Sequence, residues 1–201
     1  SSPTIAGGVV YVGSLDDHLY ALDAATGDLL WSYSIGGDIR SSPAIADGVV
    51  YVGSDDDYLH AVDADNGRLL WRYKTGGDVV SSPAVADGVV YVGSFDSYLY
   101  ALYASTGDLL WRHATSFAVV SSPVVADGVV SMASADNRVY TLDHYGSTGP
   151  RASNLRWHYA GGFAASSPAI SGGVIYVGSD DDYVYALNAA SGQLVWRHQT
   201  G

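Results

Sequence analysis

Several residue types are missing from this sequence of 201 residues, and each absence excludes a class of structure. There is no cysteine, which excludes disulfides and thiolate metal sites. All 21 acidic residues are aspartate, so metal sites that need a glutamate are also excluded, and Lys74 is the only lysine. No apolar run approaches the roughly 20 residues that a membrane-spanning helix needs, so we expect no membrane insertion.

The charge is strongly negative, with a formal net charge of −12 at pH 7. Nucleic-acid binding requires a basic surface that displaces counterions, so the composition argues against it. Docking on anionic lipid is disfavoured for the same reason. Basic proteins and cations remain as partners. Part of the aspartate excess is structural, because the short Asp side chain can bond the backbone two residues further along a turn.

An internal repeat organises the whole chain. The tripeptide Ser-Ser-Pro begins at positions 1, 41, 81, 121 and 166, and every tryptophan recurs with it. A regular period of this length is the signature of a repeat architecture. The fourth unit deviates, with six extra residues between Asp143 and Trp157, and we interpret this insertion as either a recognition element or a neutral change.

Each unit predicts four short strands. In the second unit these are Ser41–Ala46, Val49–Ser54, Tyr58–Asp63 and Leu69–Lys74, which are rich in β-branched and aromatic residues. Asp47-Gly48 separates the first two strands and is a strong signal for a type I′ hairpin turn. No segment shows a sustained 3.6-residue apolar period, so we expect essentially no helix.

Four strands per unit of about 40 residues predict the blades of a β-propeller. One four-stranded sheet cannot bury both of its faces, and stacking the blades around an axis covers them. We therefore predict one all-β domain over residues 1–201, with about five antiparallel blades. The approximate blade boundaries are residues 1–36, 37–76, 77–116, 117–160 and 161–201.

The repeat resembles the PQQ-like, or quinoprotein-type, propeller repeat. The matching residues include Ala21-Leu22-Asp23-Ala24, followed by Thr26-Gly27 and then by the marker tryptophan. The resemblance implies that this tryptophan packs against small residues of the repeat and locks neighbouring blades together. The residues to which the resemblance gives this role are Trp31, Trp71, Trp111, Trp157 and Trp196.

The resemblance leaves two functional classes open. Quinoprotein dehydrogenases bind pyrroloquinoline quinone with Ca²⁺, using Glu, Asn and Asp as metal ligands and often a disulfide, and they usually have eight blades. This chain has neither Glu nor Cys, and all five of its tryptophans belong to the repeat. We therefore expect no catalytic residues, no cofactor and no metal site. Other relatives are non-enzymatic, including an outer-membrane assembly lipoprotein and sensor-like domains of bacterial kinases.

One face of the predicted propeller is strongly acidic. The loop between the second and third strands of each unit should emerge beside the loop that joins consecutive units. These loops carry 12 of the 21 aspartates and three adjacent tyrosines, and we call this set the acidic rim. Its members are Asp16, Asp17, Asp38, Asp55, Asp56, Asp57, Tyr58, Asp78, Asp96, Tyr98, Asp136, Asp180, Asp181, Asp182 and Tyr183. The rim could attract a cation or a protein partner, since tyrosine is enriched at interfaces; turn formation and solubility are the alternative explanation.

The repeat leaves the closure of the ring undecided. A five-bladed ring, part of a propeller with seven or eight blades, and an assembly in which chains cover each other's open edges all fit the sequence. An open stack would expose apolar faces and favour self-association.

We expect a non-enzymatic propeller that acts as a protein-interaction, scaffold or sensor module. An extracytoplasmic location (periplasmic, secreted or extracellular) is implied by the resemblance alone. Two alternatives remain: a fragment of a quinoprotein dehydrogenase that depends on the quinone and Ca²⁺, and an amplified or engineered repeat protein without a selected activity. The near-identity of residues 41–71 and 81–111 keeps the second alternative open.

Overall fold

A computed structural model describes residues 1–145, 155–163 and 166–201, and these residues form five four-stranded antiparallel sheets. Most of the insertion in the fourth unit lies outside the described residues. The strands are β1 (Thr4–Ala6), β2 (Val9–Gly13), β3 (His18–Asp23) and β4 (Leu29–Ser34) in blade 1; β5 (Ala44–Ala46), β6 (Val49–Gly53), β7 (Tyr58–Asp63) and β8 (Leu69–Lys74) in blade 2; β9 (Ala84–Ala86), β10 (Val89–Gly93), β11 (Tyr98–Tyr103) and β12 (Leu109–Ala114) in blade 3; β13 (Val124–Ala126), β14 (Val129–Ser134), β15 (Arg138–Asp143) and β16 (Leu155–Ala160) in blade 4; β17 (Ala169–Ser171), β18 (Val174–Ser179), β19 (Tyr183–Asn188) and β20 (Leu194–Gln199) in blade 5.

The turns within a blade follow from the local sequence. Asp47 and Gly48 have φ values of 49° and 74°, and both are positive, as a type I′ turn requires. The turn between β7 and β8 is held by the Asp63 carboxylate, which accepts hydrogen bonds from the backbone N–H of Asp65 and of Asn66 at 2.9 and 3.2 Å. Because these bonds are local, each blade can form its hairpins largely from its own sequence.

Each blade has two apolar faces, which we call the front and back faces. The front face of blade 1 includes Tyr11, Leu19 and Ala21, and it packs against Val50 and Val62 on the back face of blade 2. The described residues form four such clusters, one between each pair of consecutive blades. This arrangement buries both faces of blades 2, 3 and 4.

The repeated tryptophan crosses from the front face of one blade to the next blade. The indole N–H of Trp31 donates to the backbone carbonyl of Ala64 at 2.9 Å, and its ring covers Gly67. Trp71 and Trp157 make the same bond at 2.9 Å, to Ala104 and Ala189. Trp111 donates to the His144 carbonyl at 3.3 Å. Gly107 and Gly192 lie under the rings of Trp71 and Trp157.

A ladder of serines joins the blades near the innermost strands. The backbone N–H of Ser42 donates to the side chain of Ser82 at 2.9 Å, and the same bond recurs one unit later, from Ser82 to Ser122 at 3.1 Å. The Ser2 to Ser42 and Ser122 to Ser167 links complete the described series. The Ser-Ser-Pro tripeptide therefore has an architectural role.

Trp196 differs from the other four tryptophans. Its side chain is 45% exposed, whereas Trp111 is 1% exposed, and no described residue accepts a hydrogen bond from its indole. The reason is that no blade covers the front face of blade 5. The locking role that the sequence assigns to Trp196 is therefore not performed within the described residues.

The chain is a β-propeller of about five blades, as the repeat predicts. No residue that the structure describes lies in a helix, and the strands of each sheet follow one another in chain order.

The glycine beneath each tryptophan yields a stability prediction. We expect Gly107→Ala to lower the free energy of unfolding by about 1–3 kcal/mol more than Gly88→Ala does. Gly107 and Gly88 have φ values of +75° and +76°, so the backbone strain caused by alanine is the same in both variants. At Gly107 an added Cβ would lie 2.6 Å from the Trp71 ring, whereas at Gly88 it would meet no atom within 4 Å. Urea unfolding measures both variants, and equal losses would contradict the role of the Trp71 contact.

Candidate binding surface

The structure places the two sets of rim loops at the same end of the propeller. The backbone N–H of Asp55, in the β6–β7 loop, donates to the carbonyl of Asp38, in the loop between blades 1 and 2, at 3.0 Å. Phe95 makes the corresponding bond to Asp78 at 2.9 Å. The acidic rim is therefore a continuous surface across neighbouring blades, but its members differ in their environments.

The first group of rim aspartates accepts hydrogen bonds within its own blade, and two members, Asp96 and Asp136, also accept one from the preceding blade. Asp96 accepts hydrogen bonds from the Tyr98 backbone N–H at 3.1 Å, from the Gly76 backbone N–H at 2.7 Å and from the Tyr100 hydroxyl at 2.5 Å. One carboxylate thus joins its own turn, the following strand and the loop from the preceding blade. The equivalent residues are Asp16, Asp56, Asp136 and Asp181, whose side-chain partners four positions later are Tyr20, His60, Tyr140 and Tyr185.

The pKa shifts agree with this structural role. The Tyr20 hydroxyl, which donates to Asp16, lowers the pKa of that carboxyl group. Burial would raise the pKa of Asp56, but the hydrogen bond and the charge of His60 outweigh it and lower the pKa. Burial, together with the bond to Asp136, raises the pKa of Tyr140 to about 12. These carboxylates are already partnered within the fold, so they contribute little to binding another molecule.

The second group occupies the left-handed backbone position of the loop. Asp17, Asp57 and Asp182 have φ values of 67°, 71° and 67°. Ser97 and Asn137 take the same position in the other two blades, with φ values of 71° and 64°. Asp and Asn tolerate this conformation better than most residues, so turn geometry explains why a short polar side chain recurs here.

The rim tyrosines are covered by arginines. The guanidinium carbon of Arg112 lies 4.3 Å from the centre of the Tyr98 ring, and Arg72 lies 4.6 Å from that of Tyr58. The remaining pair is Arg197 and Tyr183, at 4.7 Å. Each of these tyrosines, which the sequence suggests as part of a binding rim, thus lies against an arginine on the neighbouring strand of its own blade.

The third group is a cluster of carboxylates with little compensating charge. Arg40 donates to Asp38 at 2.8 Å and to Asp55 at 2.7 Å. Burial and the neighbouring charges of Asp55 and Asp57 raise the pKa of Asp78, despite the nearby guanidinium of Arg40. We call Asp38, Asp55, Asp57 and Asp78 the acidic cluster.

The remaining rim aspartate, Asp180, lies in blade 5 and belongs to none of these groups. Its backbone N–H donates to the Gly162 carbonyl at 2.7 Å, and its side chain is exposed. The same position holds Leu15, Phe95 and Ala135 in other blades, so the fold does not require a carboxylate there.

Sequence reasoning missed the tyrosine and histidine partners of the first group. An aspartate followed four positions later by tyrosine or histidine recurs in all five units, and this spacing was the signal that could have found them. The structure adds that the aspartate lies in the turn and its partner in the following strand, within hydrogen-bond distance.

Metal binding has no ready-made site in the part of the chain that the structure describes, since no group of three or more His or Asp side chains there is arranged to hold an ion. Over the same residues, no helix is long and apolar enough to cross a membrane.

Comparison with known sequences identifies one family. A sequence profile for PQQ-like repeats, described as outer membrane protein assembly factor BamB, matches residues 1–82 and residues 76–201. Among curated proteins, none matches the chain.

Solved structures share the fold. BamB from Moraxella catarrhalis is 23% identical over 98% of this chain, with a TM-score of 0.81. The computationally designed Ika8 protein is 18% identical over 99% of the chain, with a TM-score of 0.82. Quinohemoprotein alcohol dehydrogenase ADHIIG from Pseudomonas putida HK5 is 19% identical over 98% of the chain, with a TM-score of 0.77. The chain spans 63%, 61% and 41% of these three structures, which is less than two thirds of each.

The division of the rim into groups predicts different effects for two of its aspartates. We expect Asp96→Ala to lower the free energy of unfolding by about 1–3 kcal/mol, because three donors lose their acceptor. We expect Asp180→Ala to change it by no more than about 0.5 kcal/mol, as for an ordinary surface substitution. Urea unfolding at neutral pH measures both, and similar losses for the two variants would contradict the division.

Proposed function

Because the chain belongs to the family of PQQ-like propeller repeats described as outer membrane protein assembly factor BamB, we propose that it is a non-enzymatic module that binds a basic segment of a protein partner. The observation that carries the proposal is the acidic cluster, where like charges meet at partly buried positions of neighbouring loops. We further propose that the module works outside the cytoplasm of a bacterial cell, at the envelope. The family description, which names a factor in outer-membrane protein assembly, supports this location.

The acidic cluster suits a basic partner for electrostatic reasons. Burial, and after it the charges of Asp55 and Asp57, raise the pKa of Asp78, so its ionised form is disfavoured in part by charge repulsion. A lysine or arginine side chain entering this region would relieve that repulsion. Arg40 already does so in part, although it is 54% exposed and its ion pairs are correspondingly weak.

A catalytic role has little support in the residues available. The rim aspartates with lowered pKa values accept hydrogen bonds from their own blade, so they are not placed as bases toward a substrate. The donor set also does not fit a quinone bound with Ca²⁺. The described residues gather no cluster of metal ligands, and four tryptophans are used between blades.

The cluster can be tested with a defined basic probe. We expect a fluorescent decalysine peptide to bind the protein at about 20 mM salt and to dissociate at about 300 mM, because screening removes the attraction. The triple variant Asp55→Asn, Asp57→Asn, Asp78→Asn should bind at least about fivefold more weakly. Fluorescence anisotropy measures each affinity.

A matched control separates local attraction from net charge. The triple variant Asp47→Asn, Asp65→Asn, Asp127→Asn removes the same number of charges from the loops at the opposite end of the blades. Asn is compatible with the positive φ values of 49° at Asp47 and 52° at Asp127. Equal weakening in both triple variants would show that the probe senses only the overall charge and would refute the cluster as a binding site.

The quinoprotein alternative is retained because ADHIIG has the same fold. We expect no saturable binding when the protein is titrated with pyrroloquinoline quinone in the presence of Ca²⁺. Absorption spectroscopy of the quinone and calorimetry provide two independent readouts. Stoichiometric binding with a shifted spectrum would favour the dehydrogenase-fragment alternative over our proposal.

A further inference from the structure

His144 is an exception to the repeat. It is the first residue after the third strand of its unit, and every other unit has alanine at this position. These alanines are Ala24, Ala64, Ala104 and Ala189. Although histidine is polar, His144 is only 2% exposed. The fourth unit therefore buries an imidazole ring where the other units have only a methyl group.

The His144 ring fills a space between blades 3 and 4. Its Nδ1 lies 2.9 Å from the Tyr91 hydroxyl oxygen, and its Nε2 lies 3.4 Å from a carboxylate oxygen of Asp87. The Tyr91 hydroxyl donates to the His144 carbonyl at 2.7 Å, so its oxygen can accept a hydrogen bond from Nδ1. The ring packs against Tyr91 and Tyr145, whose ring centres are 5.4 and 4.3 Å away. Both ring nitrogens therefore face oxygen acceptors.

The corresponding space between blades 2 and 3 is an open cavity of about 290 Å³. The residues that line it are Asp47, Val49, Tyr51, Gly88, Ala104 and Ser105. Each lies one repeat before the residue that has the same position between blades 3 and 4, and the cavity has alanine and serine in place of His144 and Tyr145. Ligand pockets usually measure about 300–1,000 Å³, so this cavity suits a small ring.

The walls of the two spaces have the same geometry. The Tyr51 ring lies 5.8 Å from the Trp71 ring at 47°, and the equivalent pair at the filled interface is 5.7 Å apart at 48°. The Tyr51 hydroxyl donates to the Ala104 carbonyl at 3.3 Å, so its oxygen can also accept a hydrogen bond. Burial, and after it the charge of Asp47, raise the pKa of Tyr51, so the carboxylate lies close enough to act on this hydroxyl. The cavity thus offers the same two acceptors as the filled space.

The other described interfaces differ in at least one of these acceptors. Between blades 1 and 2, glycine replaces the aspartate beside Tyr11, and the carboxylate that acts on Tyr11 is Asp65 of the opposite blade. Between blades 4 and 5, Asp127 lines a cavity of about 260 Å³, but Arg156 brings a positive charge to it and Ser131 replaces the tyrosine. Among the described residues, blades 2 and 3 alone combine an open cavity with both acceptors in these positions.

We propose that the cavity between blades 2 and 3 binds an imidazole ring, carried by a small imidazole compound or by a histidine side chain of a partner protein. The protonated ring has two N–H groups, which meet the Tyr51 hydroxyl oxygen and the Asp47 carboxylate. An apolar ring would leave both acceptors without donors, and an anion would be repelled by Asp47. The cavity lies at the end of the blades opposite the acidic cluster, so this inference is independent of the proposed function.

Nuclear magnetic resonance tests the binding in the 201-residue protein. We expect free imidazole to shift the backbone amide signals of Gly88 and Ser105 saturably, with a dissociation constant of the order of 1–10 mM for so small a ligand. The cavity between blades 4 and 5 is the internal control, and the signals of Gly173 and Ala190, which line it, should not saturate. Shifts at Gly88 and Ser105 that do not saturate, or equal saturation in both cavities, would overturn the proposal.

Two variants remove one acceptor each. Tyr51→Phe keeps the ring and removes the hydroxyl, whereas Asp47→Asn keeps the shape and removes the charge. Each should weaken imidazole binding at least about fivefold. Tyr11→Phe and Asp127→Asn make the same changes at other interfaces and should leave the affinity unchanged. An unchanged affinity in both Tyr51→Phe and Asp47→Asn would contradict the assigned contacts.

Filling and opening the space provide a further test. Ala104→His supplies the ring from the chain itself, as His144 does, and should abolish the shift that imidazole causes at Gly88. His144→Ala opens the space between blades 3 and 4 and should add a second saturable site, detected at the Gly128 amide. Persistent binding in Ala104→His, or no new site in a folded His144→Ala protein, would refute the proposal.

A second ligand distinguishes the two sources of the ring. N-acetylhistidine methylamide carries the imidazole on a peptide backbone. Binding as tight as that of imidazole assigns the cavity to a histidine side chain, and binding at least about tenfold weaker assigns it to a small imidazole compound. If neither ligand binds while decalysine still binds the acidic cluster, this inference fails and the proposed function stands.

Discussion

The contact between the tryptophan of one blade and the glycine turn of the next is the constraint on which this structure depends. A four-stranded sheet with two apolar faces is not stable alone in water, so each blade requires a neighbour on both sides. The indole covers the glycine and donates a hydrogen bond to a backbone carbonyl of the same turn, as Trp31 does with Gly67 and Ala64. The contact sets the spacing of the blades, and the spacing in turn positions the loops.

The aspartates of the loops have two different roles, one in stabilising the fold and one in the proposed binding surface, and the amino-acid composition does not distinguish them. At Asp96 the carboxylate accepts hydrogen bonds from its own turn, from the following strand and from the preceding blade. It therefore stabilises the fold and has little capacity left to bind another molecule. At Asp78 the carboxylate lies near other carboxylates, and its pKa is raised by burial and, after that, by the charges of Asp55 and Asp57. The net charge of −12 therefore overstates the charge available for binding, and the acidic cluster is the part of the rim at which we propose binding.

Much of the fold could be predicted because it is encoded locally. Asp47-Gly48 specifies a hairpin turn through its backbone preferences, and the alternation of residues 58–63 specifies a strand with two faces. The placement of Asp38 beside Asp55 also followed from the repeat alone. The roles within the rim could not be assigned in this way. Asp57 and Asp96 are both acidic residues of the loop between the second and third strands, and the structure distinguishes them by backbone angle and hydrogen-bond partners.

The amino-acid sequence alone predicted the order of the strands, the turn types and the five repeats. Each of these features depends on contacts between residues that are close along the chain. The exposure of the back face of blade 1 and the front face of blade 5 could not be predicted from the sequence. Identical repeat residues are buried in a blade that has a neighbour on that side and exposed in a blade that has none. Trp196 and Trp111 occupy the same position of the repeat, yet one is 45% exposed and the other 1%. Burial is a property of the assembled blades, and the three-dimensional arrangement alone distinguishes the two residues.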